Sequence, residues 1–182
     1  MSVRSRSRVV AATALLGLLG GVAPAAAQQG AAPVVSGTES GVSNEQVETA
    51  IARAQSQVGI PYAWGGGNAF GPTAGVRDGA SADIFGDFRK VGFDCSGLVQ
   101  YAFSEAGIQL PQYTGHQYLR GEHVAPQDMQ RGDLIFYGPG GSAHVAIYLG
   151  DGMMVEAPTS GGVVQETPVR WEGMSEHVVR LI

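Results

Sequence analysis

The stretch that decides the fold is FDCSGLVQYAF, residues 93–103, and it contains the one cysteine of the chain. The apolar residues between Leu98 and Ala106 cover nearly every helical face, which predicts a central, buried helix that ends at Gly107. Asp94 is a suitable N-cap, so Cys95 falls in the first helical turn. Unpaired N–H groups and the helix dipole favour an anion there. We therefore expect a thiol with a lowered pKa, and a nucleophile if a base lies near it.

Short apolar segments separated by Gly-rich turns follow this helix and predict strands. They are Asp133–Tyr137, His144–Leu149, Met153–Ala157, Val163–Thr167 and Val178–Ile182. Before the helix, an S-x-x-Q capping box at Ser43–Gln46 and apolar residues at helical spacing predict a helix over about Asn44–Val58. Helices followed by strands are typical of an α+β fold. We expect N-terminal helices packed on a mostly antiparallel sheet of about five to six strands.

The composition excludes several classes of protein. The 182 residues include 11 Lys+Arg and 16 Asp+Glu, a net charge of -5, whereas a nucleic-acid-binding protein normally presents a basic face. A single cysteine excludes an internal disulfide framework and any Cys-rich zinc module. A hydrophobic fraction of 44% excludes a wholly disordered chain. A cysteine without an internal partner is therefore a candidate for chemistry.

The N-terminus has the three parts of a secretory signal peptide. Three arginines are followed by the apolar run Val9–Val22 and by an A-x-A site at Ala25–Ala27. The apolar run is shorter than the roughly 20 residues that a spanning helix needs. We expect residues 1–27 to be removed, residues 28–42 to form a flexible segment and residues 43–182 to form the domain. The protein would then be secreted, to the cell wall or a periplasm-like space, without a stable membrane anchor.

A base and an orienting group for Cys95 come from one predicted hairpin. His144 opens an apolar strand directly after a flexible loop, where a histidine stays accessible to solvent. A three-residue loop at Gly150–Gly152 would place Glu156 opposite Ala146, on the face that also carries His144. Glu156 is then a diagonal neighbour of His144, about 7–8 Å away between backbones and within reach of a long side chain. The other histidines are interpreted as surface residues: His116, His123 and His177.

Each of these residues also has an ordinary structural explanation. A lone cysteine beside an apolar helix is often a small buried side chain. A strand histidine is often a satisfied core residue, and a strand glutamate often lies on a solvated face. The spacing alone therefore leaves two interpretations open, a Cys-His-Glu triad and three unrelated structural residues.

Four motifs in this order make the chain similar to the NlpC-type cell-wall peptidases, a papain-like family of secreted bacterial enzymes. They are YAWGG at residues 62–66, FDCSGL at 93–98, RGDLIFY at 131–137 and HVAIYLG at 144–150. The chain most resembles the actinobacterial, invasion-associated Rip-type endopeptidases, which it also matches at GMMVEAP, residues 152–158. The resemblance covers about residues 58–182.

The resemblance implies a cysteine peptidase of peptidoglycan stem peptides that needs no metal and no organic cofactor. The implied scissile bond joins D-glutamate, through its γ-carboxyl, to meso-diaminopimelate. Cys95 matches the nucleophile, His144 the base and Glu156 the third polar residue. The backbone N–H of Cys95 is one expected oxyanion donor. The other matches line the site, Tyr62 as the second oxyanion donor and the rest as substrate contacts: Asp94, Ser96 and Ser142.

The chain differs from the family pattern in two places. Many members have a histidine as the third residue, whereas Glu156 fits the Rip-type subset. An additional stretch, about residues 77–92, precedes the nucleophile within a loop-like region between Pro61 and Gly92. This insertion is either a substrate-binding lip or a tolerated surface insertion.

Two other functions remain open from the sequence. One is a catalytically silent peptidoglycan-binding module, and the other is an amidase or cross-link peptidase on the same fold. The expected partners are peptidoglycan stem peptides and other cell-wall hydrolases, without nucleic acid. The expected oligomeric state is a monomer.

Overall fold

The structure, a computed structural model, describes the backbone of residues 38–182 and the side chains from residue 43 onward. The predicted signal peptide, residues 1–27, lies outside these residues, as do residues 28–37 of the predicted flexible segment. The last residues of that segment are helical. In the part of the chain that the structure describes, no helix has the length and apolar character needed to cross a membrane.

Residues 38–182 contain four α-helices and eight strands. The helices are α1 (Thr38–Gln55), α2 (Ser81–Ile84), α3 (Cys95–Ser104) and α4 (Thr114–Tyr118). The strands are β1 (Thr73–Ala74), β2 (Val91–Gly92), β3 (Glu122–Val124), β4 (Leu134–Tyr137), β5 (His144–Gly150), β6 (Met153–Glu156), β7 (Gln165–Pro168) and β8 (Val178–Arg180). Short 3₁₀ turns cover Asp87–Arg89, Pro126–Asp128 and Pro139–Gly141.

Six of these strands form one antiparallel sheet in the order β3-β8-β4-β5-β6-β7. The strands β1 and β2 pair with each other in a separate two-stranded sheet. The predicted α+β fold, with helices before a mostly antiparallel sheet of about five to six strands, is confirmed.

The helix that carries the cysteine is the centre of the core, as predicted. Leu98 and Phe103 of α3 are each 1% exposed. They share a core with Ile51 of α1 and Ile147 of β5. Burying one such side chain is worth about 1.5–3 kcal/mol. Contacts with both α1 and the sheet therefore fix the position of the first residue of α3.

The helix α1 begins and ends earlier than its pattern predicts. The predicted span is about Asn44–Val58, and the observed span is Thr38–Gln55. The capping box does not start the helix, and the side chain of Gln46 instead donates to the carbonyl of Ala106 at 2.9 Å. At the other end the chain leaves the helix through tight turns, and Gly59 has a φ of +92°.

The loop-like region between Pro61 and Gly92 is more ordered than predicted, since it contains α2, β1 and β2. The Phe93 N–H donates to the Pro61 carbonyl at 3.2 Å, and the Ala63 N–H donates to the Phe93 carbonyl at 3.0 Å. Gly92 passes so close that a Cβ atom there would lie 1.9 Å from the Pro61 carbonyl oxygen. This pairing joins segments far apart in sequence, so no local periodicity indicates it. It brings Tyr62 next to the start of α3.

The β5–β6 hairpin has the predicted register but a different turn. Tyr148 pairs with Met154, as predicted. The predicted three-residue loop is wrong, because Gly150 pairs with Met153 and the turn is Asp151–Gly152. Both turn residues have positive φ, +51° and +73°, as in the tight turns that suit hairpins. A bulge between Tyr148 and Gly150 absorbs the extra residue and preserves the register.

Candidate active site

The cysteine lies at the start of α3, and Asp94 is its N-cap, as predicted. Oδ1 of Asp94 accepts hydrogen bonds from the Gly97 N–H at 2.6 Å and from the Ser96 hydroxyl at 2.8 Å. The Asp94 N–H donates to the Gly66 carbonyl at 2.9 Å. Only glycine fits at position 97, because a Cβ atom there would lie 2.2 Å from that carbonyl oxygen. The cap therefore fixes the glycine-rich loop against the first turn of the helix.

The environment of the thiol contradicts the predicted low pKa. Cys95 is 8% exposed. Burial and the Asp94 carboxylate raise the pKa of the Cys95 thiol to about 12. Backbone N–H groups, including that of Val145, act in the opposite direction and lower this pKa. The helix start thus favours the thiolate as predicted, but the loss of solvation is larger. Cys95 rests as a neutral thiol.

His144 and Glu156 meet as the hairpin register predicts. Nε2 of His144, the first residue of β5, lies 2.7 Å from Oε2 of Glu156, the last residue of β6. An ionised carboxylate only accepts hydrogen bonds, so the Nε2 atom of His144 is the donor in this contact. The side chain of His144 is 12% exposed, and that of Glu156 is fully buried. Glu156 therefore fixes one nitrogen of the imidazole and leaves the other for proton transfer.

Arg170, which no motif marks, binds the same carboxylate. Its Nη1 and Nη2 atoms donate to Oε1 and Oε2 of Glu156, both at 2.7 Å. Burial alone would raise the pKa of Glu156, but the hydrogen bonds from Arg170 and His144 outweigh it and lower this pKa to about 2. A buried carboxylate needs a counter-charge. That rule indicates a cation here, but nothing in the sequence distinguishes Arg170 from the other arginines.

A groove of about 560 Å³ joins most of the predicted site residues. Cys95 and His144 line it together, while Glu156 lies behind His144. The other predicted residues also line the groove: Tyr62, Asp94, Ser96 and Ser142. Further lining residues were not assigned from the sequence: Trp64, Gly65, Val76, Gln112, Tyr113, Thr114, Ala143, Pro158 and Thr159. They come from separate loops and from α4, which local motifs do not connect.

Tyr62 has the properties of a hydrogen-bond donor in this groove. It is 5% exposed. Burial is the main cause that raises the pKa of its hydroxyl, and Cys95 and Asp94 add to the rise. The hydroxyl therefore stays protonated at neutral pH and is available to donate.

Asp94 is largely occupied by its own helix. Burial raises the pKa of its carboxyl, and hydrogen bonds from Gly97 and Ser96 partly offset that rise. Because these donors use much of its acceptor capacity, the cap is the role that its contacts support. A contact between Asp94 and substrate stays a prediction.

The other histidines lie outside the groove. His116 and His123 are exposed, and the side chain of His177 is 38% exposed. The interpretation as surface residues is confirmed for His116 and His123, whereas His177 is half-buried.

The insertion at residues 77–92 is attached to a wall of the groove. Asp87, which is fully buried, accepts hydrogen bonds from Lys90 Nζ at 2.7 Å and from the Ser160 hydroxyl at 2.6 Å. Ser160 directly follows Thr159, which lines the groove. The insertion therefore supports the loop that follows β6.

Comparison with known proteins identifies one family. The family model described as NlpC/P60 matches residues 59–182. Peptidoglycan endopeptidase RipA of Mycobacterium tuberculosis is 50% identical over 160 residues, which cover 88% of this chain and 31% of that protein. Peptidoglycan endopeptidase RipB of the same organism is 49% identical over 160 residues, which cover 88% of this chain and 61% of that protein. The chain thus matches less than two thirds of the length of either relative.

Solved structures extend these comparisons. The structure of RipB has a TM-score of 0.72 and 49% identity, and the match covers 78% of this chain and 67% of that one. RipA structures exist with a cysteine, a histidine or a glutamate mutated, at positions whose separations equal those of Cys95, His144 and Glu156. RipD of M. tuberculosis, described as a non-catalytic NlpC/p60 domain protein adapted to peptidoglycan binding, has 44% identity and a TM-score of 0.67. That match covers 75% of this chain and 98% of the RipD chain.

Proposed function

The chain belongs to the NlpC/P60 family, and on that premise we propose that it is a cysteine endopeptidase of peptidoglycan stem peptides. One observation carries the proposal. Cys95 and His144 line one groove, and Glu156 holds the distal nitrogen of His144 at 2.7 Å. A nucleophile, a base and an orienting carboxylate are what acyl transfer requires. The endopeptidase names of RipA and RipB support the same activity.

The first half of the reaction follows from the neutral thiol. As the Cys95 sulfur attacks the amide carbonyl, Nδ1 of His144 takes the thiol proton as a general base. Glu156 stabilises the imidazolium that forms. The negative charge on the carbonyl oxygen is met by the Tyr62 hydroxyl and the backbone N–H of Cys95. The imidazolium then donates its proton to the leaving amine, and the substrate remains as a thioester on Cys95.

The second half regenerates the enzyme. His144 removes a proton from water, and the hydroxide attacks the thioester carbonyl. The carbon–sulfur bond breaks, the sulfur recovers its proton from His144, and a free carboxylate leaves. The same two donors hold the oxyanion in both halves, and the reaction requires neither metal nor organic cofactor.

We propose the bond between D-glutamate, through its γ-carboxyl, and meso-diaminopimelate as the scissile bond. The resemblance to Rip-type enzymes supports this choice. We also propose that the protein acts after export, as a monomer in the cell wall or a periplasm-like space. Other cell-wall hydrolases remain its proposed protein partners, and nucleic acid is not among them.

The similarity to RipD favours a second candidate, a peptidoglycan-binding module without catalysis. The buried, neutral Cys95 agrees with that candidate, since a resting thiol is a weak nucleophile. The His144–Glu156 contact favours the enzyme, because an oriented imidazole has no evident use in passive binding.

Purified muropeptides distinguish these functions. The protein without residues 1–27 and its Cys95→Ala variant are incubated with them, and the products are identified by mass spectrometry. We expect the unmodified protein to cleave the D-glutamyl–diaminopimelate bond and Cys95→Ala to leave it intact. Binding without cleavage would support the silent module. Cleavage at a different bond would make the protein an amidase or cross-link peptidase, and cleavage by Cys95→Ala would rule out the mechanism.

A further inference from the structure

Arg170 lies outside the groove, on the far side of the catalytic carboxylate. It follows β7, and the chain then crosses to β4, where Met174 forms a bridge with Tyr137. Arg170 is not one of the residues that line the groove. Its hydrogen-bonded link to His144 is through Glu156.

The guanidinium fixes the plane of this carboxylate. Arg170 contacts both oxygens of Glu156 at 2.7 Å, and Oε2 also lies 2.7 Å from Nε2 of His144. Gln165 adds a weaker contact to Oε1 at 3.4 Å. A two-point contact between guanidinium and carboxylate has a defined geometry. Because His144 and Arg170 share Oε2, rotation of the carboxylate would break both contacts.

Charge is the second argument, since Glu156 is fully buried. The titratable groups that face it are His144 from β5, Tyr137 from β4 and Arg170. Arg170 also lies over the Tyr137 ring at 5.0 Å, and that ring is 5.7 Å from the imidazole. A buried carboxylate beside a neutral imidazole alone would take up a proton readily as the pH falls. A protonated carboxyl would no longer stabilise an imidazolium.

We propose that Arg170 is a positioning residue that keeps Glu156 ionised and oriented toward His144 during catalysis. The inference rests on the proposed peptidase function and adds a member to its machinery. It also explains how a glutamate can occupy this buried third position, where an uncharged side chain would need no counter-charge.

The test compares Arg170→Gln and Arg170→Lys with the unmodified protein. The kinetic constants kcat and KM are measured on muropeptides between pH 4 and pH 8. We expect Arg170→Gln to lower kcat about 10- to 100-fold at pH 7, with little change in KM. The acid limb of its pH–activity profile should also move to higher pH, because loss of the cation raises the pKa of Glu156. Arg170→Lys keeps the charge, so its acid limb should lie at the same pH as in the unmodified protein. Its kcat should be only partly recovered.

Arg180→Gln is the matched control. Arg180 donates to both oxygens of the buried Asp133 at 2.9 and 2.8 Å, but that pair lies away from the groove. We expect this variant to keep the pH profile of the unmodified protein, at a temperature where both are folded. The inference is overturned if Arg170→Gln keeps kcat and the pH profile, or if Arg180→Gln shifts the profile equally.

A titration followed by NMR separates this inference from the proposed function. The signals of glutamate side-chain carboxyls are followed in the unmodified protein and in Arg170→Gln. The signal that is missing from Glu156→Gln is assigned to Glu156. If the unmodified protein cleaves nothing, the proposed function fails, and the titration still decides the role of Arg170. A signal of Glu156 that titrates at the same pH with and without Arg170 would overturn the inference. A rise in that pH would support it, and if Arg170→Gln folds poorly, Arg170→Met, which also removes the charge, takes its place.

Discussion

Two buried carboxylates, Glu156 at the end of β6 and Asp133 just before β4, are held by arginines in nearly the same way but have different third partners. Glu156 is 1% exposed and Asp133 is 2% exposed, and each accepts two hydrogen bonds from one arginine. Asp133 also accepts a hydrogen bond from the backbone N–H of Gln130 at 2.7 Å. Glu156 instead contacts the imidazole of His144. The third contact therefore distinguishes the two ion pairs, since it joins Asp133 to the backbone and Glu156 to the proposed base.

A third buried carboxylate shows what happens without an arginine. Asp87 is held by an ammonium group and a hydroxyl, at single points. Such contacts neutralise the charge but do not define the plane of the carboxylate. Asp87 is therefore a buried carboxylate that a lysine and a hydroxyl fasten to a loop without a two-point contact.

The largest effect that this comparison predicts belongs to Glu156→Gln. Loss of the charge should lower kcat about 100- to 10,000-fold, because the imidazolium loses its stabilising partner. Initial rates on muropeptides measure the change. Glu166→Gln, on the neighbouring strand β7 and exposed, is the control and should retain full activity. Equal rates for Glu156→Gln and the unmodified protein would remove Glu156 from the mechanism.

Arg180→Gln should be the largest change in stability. Removing one partner of a buried ion pair leaves Asp133 uncompensated and should lower the free energy of unfolding by about 3–5 kcal/mol. Urea unfolding measures this loss, and muropeptide cleavage below the unfolding transition should remain near normal. The comparison breaks down if the variant is as stable as the unmodified protein yet inactive.

Glu156 should also make stability depend on acid pH. Its pKa is lowered from 4.5 to about 2 in the fold, so its contribution is present above pH 4.5 and is lost as the pH falls through 2. A shift of this size corresponds to about 3 kcal/mol. Unfolding free energies at several pH values, compared with those of Glu156→Gln, measure it. Parallel curves for the two proteins would contradict the lowered pKa.

Ser160→Ala should have the smallest effect. It removes one of the two contacts of Asp87 and should cost about 1 kcal/mol of stability. Because Ser160 follows a residue that lines the groove, we expect KM to rise a few-fold while kcat stays the same. Ser56→Ala is the control, because Ser56 is exposed, directly follows α1 and is distant in sequence from Asp87 and Ser160. A loss of kcat instead would place the insertion in the chemistry itself.

The elements that hold Cys95, His144 and Glu156 could be predicted from the sequence because each depends on a local pattern. Apolar faces indicate α3, an aspartate before it indicates the cap, and alternation along two strands brings Glu156 beside His144. The predicted register is correct although the predicted turn is wrong, because a bulge near Gly150 compensates for the shorter loop. Local patterns therefore determine which face of a strand meets a partner.

The remaining features depend on groups that are distant in sequence. Arg170 reaches Glu156 only because the chain after β7 folds back across the sheet. The pKa of Cys95 depends on how completely the groove walls exclude water, and helix position alone predicts the wrong direction. The pairing of Pro61 with Gly92 and Phe93 joins segments that no short motif links. Desolvation and long-range pairing are thus what the sequence pattern could not supply.

The neutral thiol has a consequence for chemical durability. Burial and the Asp94 carboxylate raise the pKa of the Cys95 thiol, which disfavours the thiolate in the resting protein. Peroxides and disulfides react with the thiolate. In the proposed mechanism, His144 takes the thiol proton as the sulfur attacks the carbonyl. We therefore expect Cys95 to react with peroxides and disulfides more slowly than an exposed cysteine does.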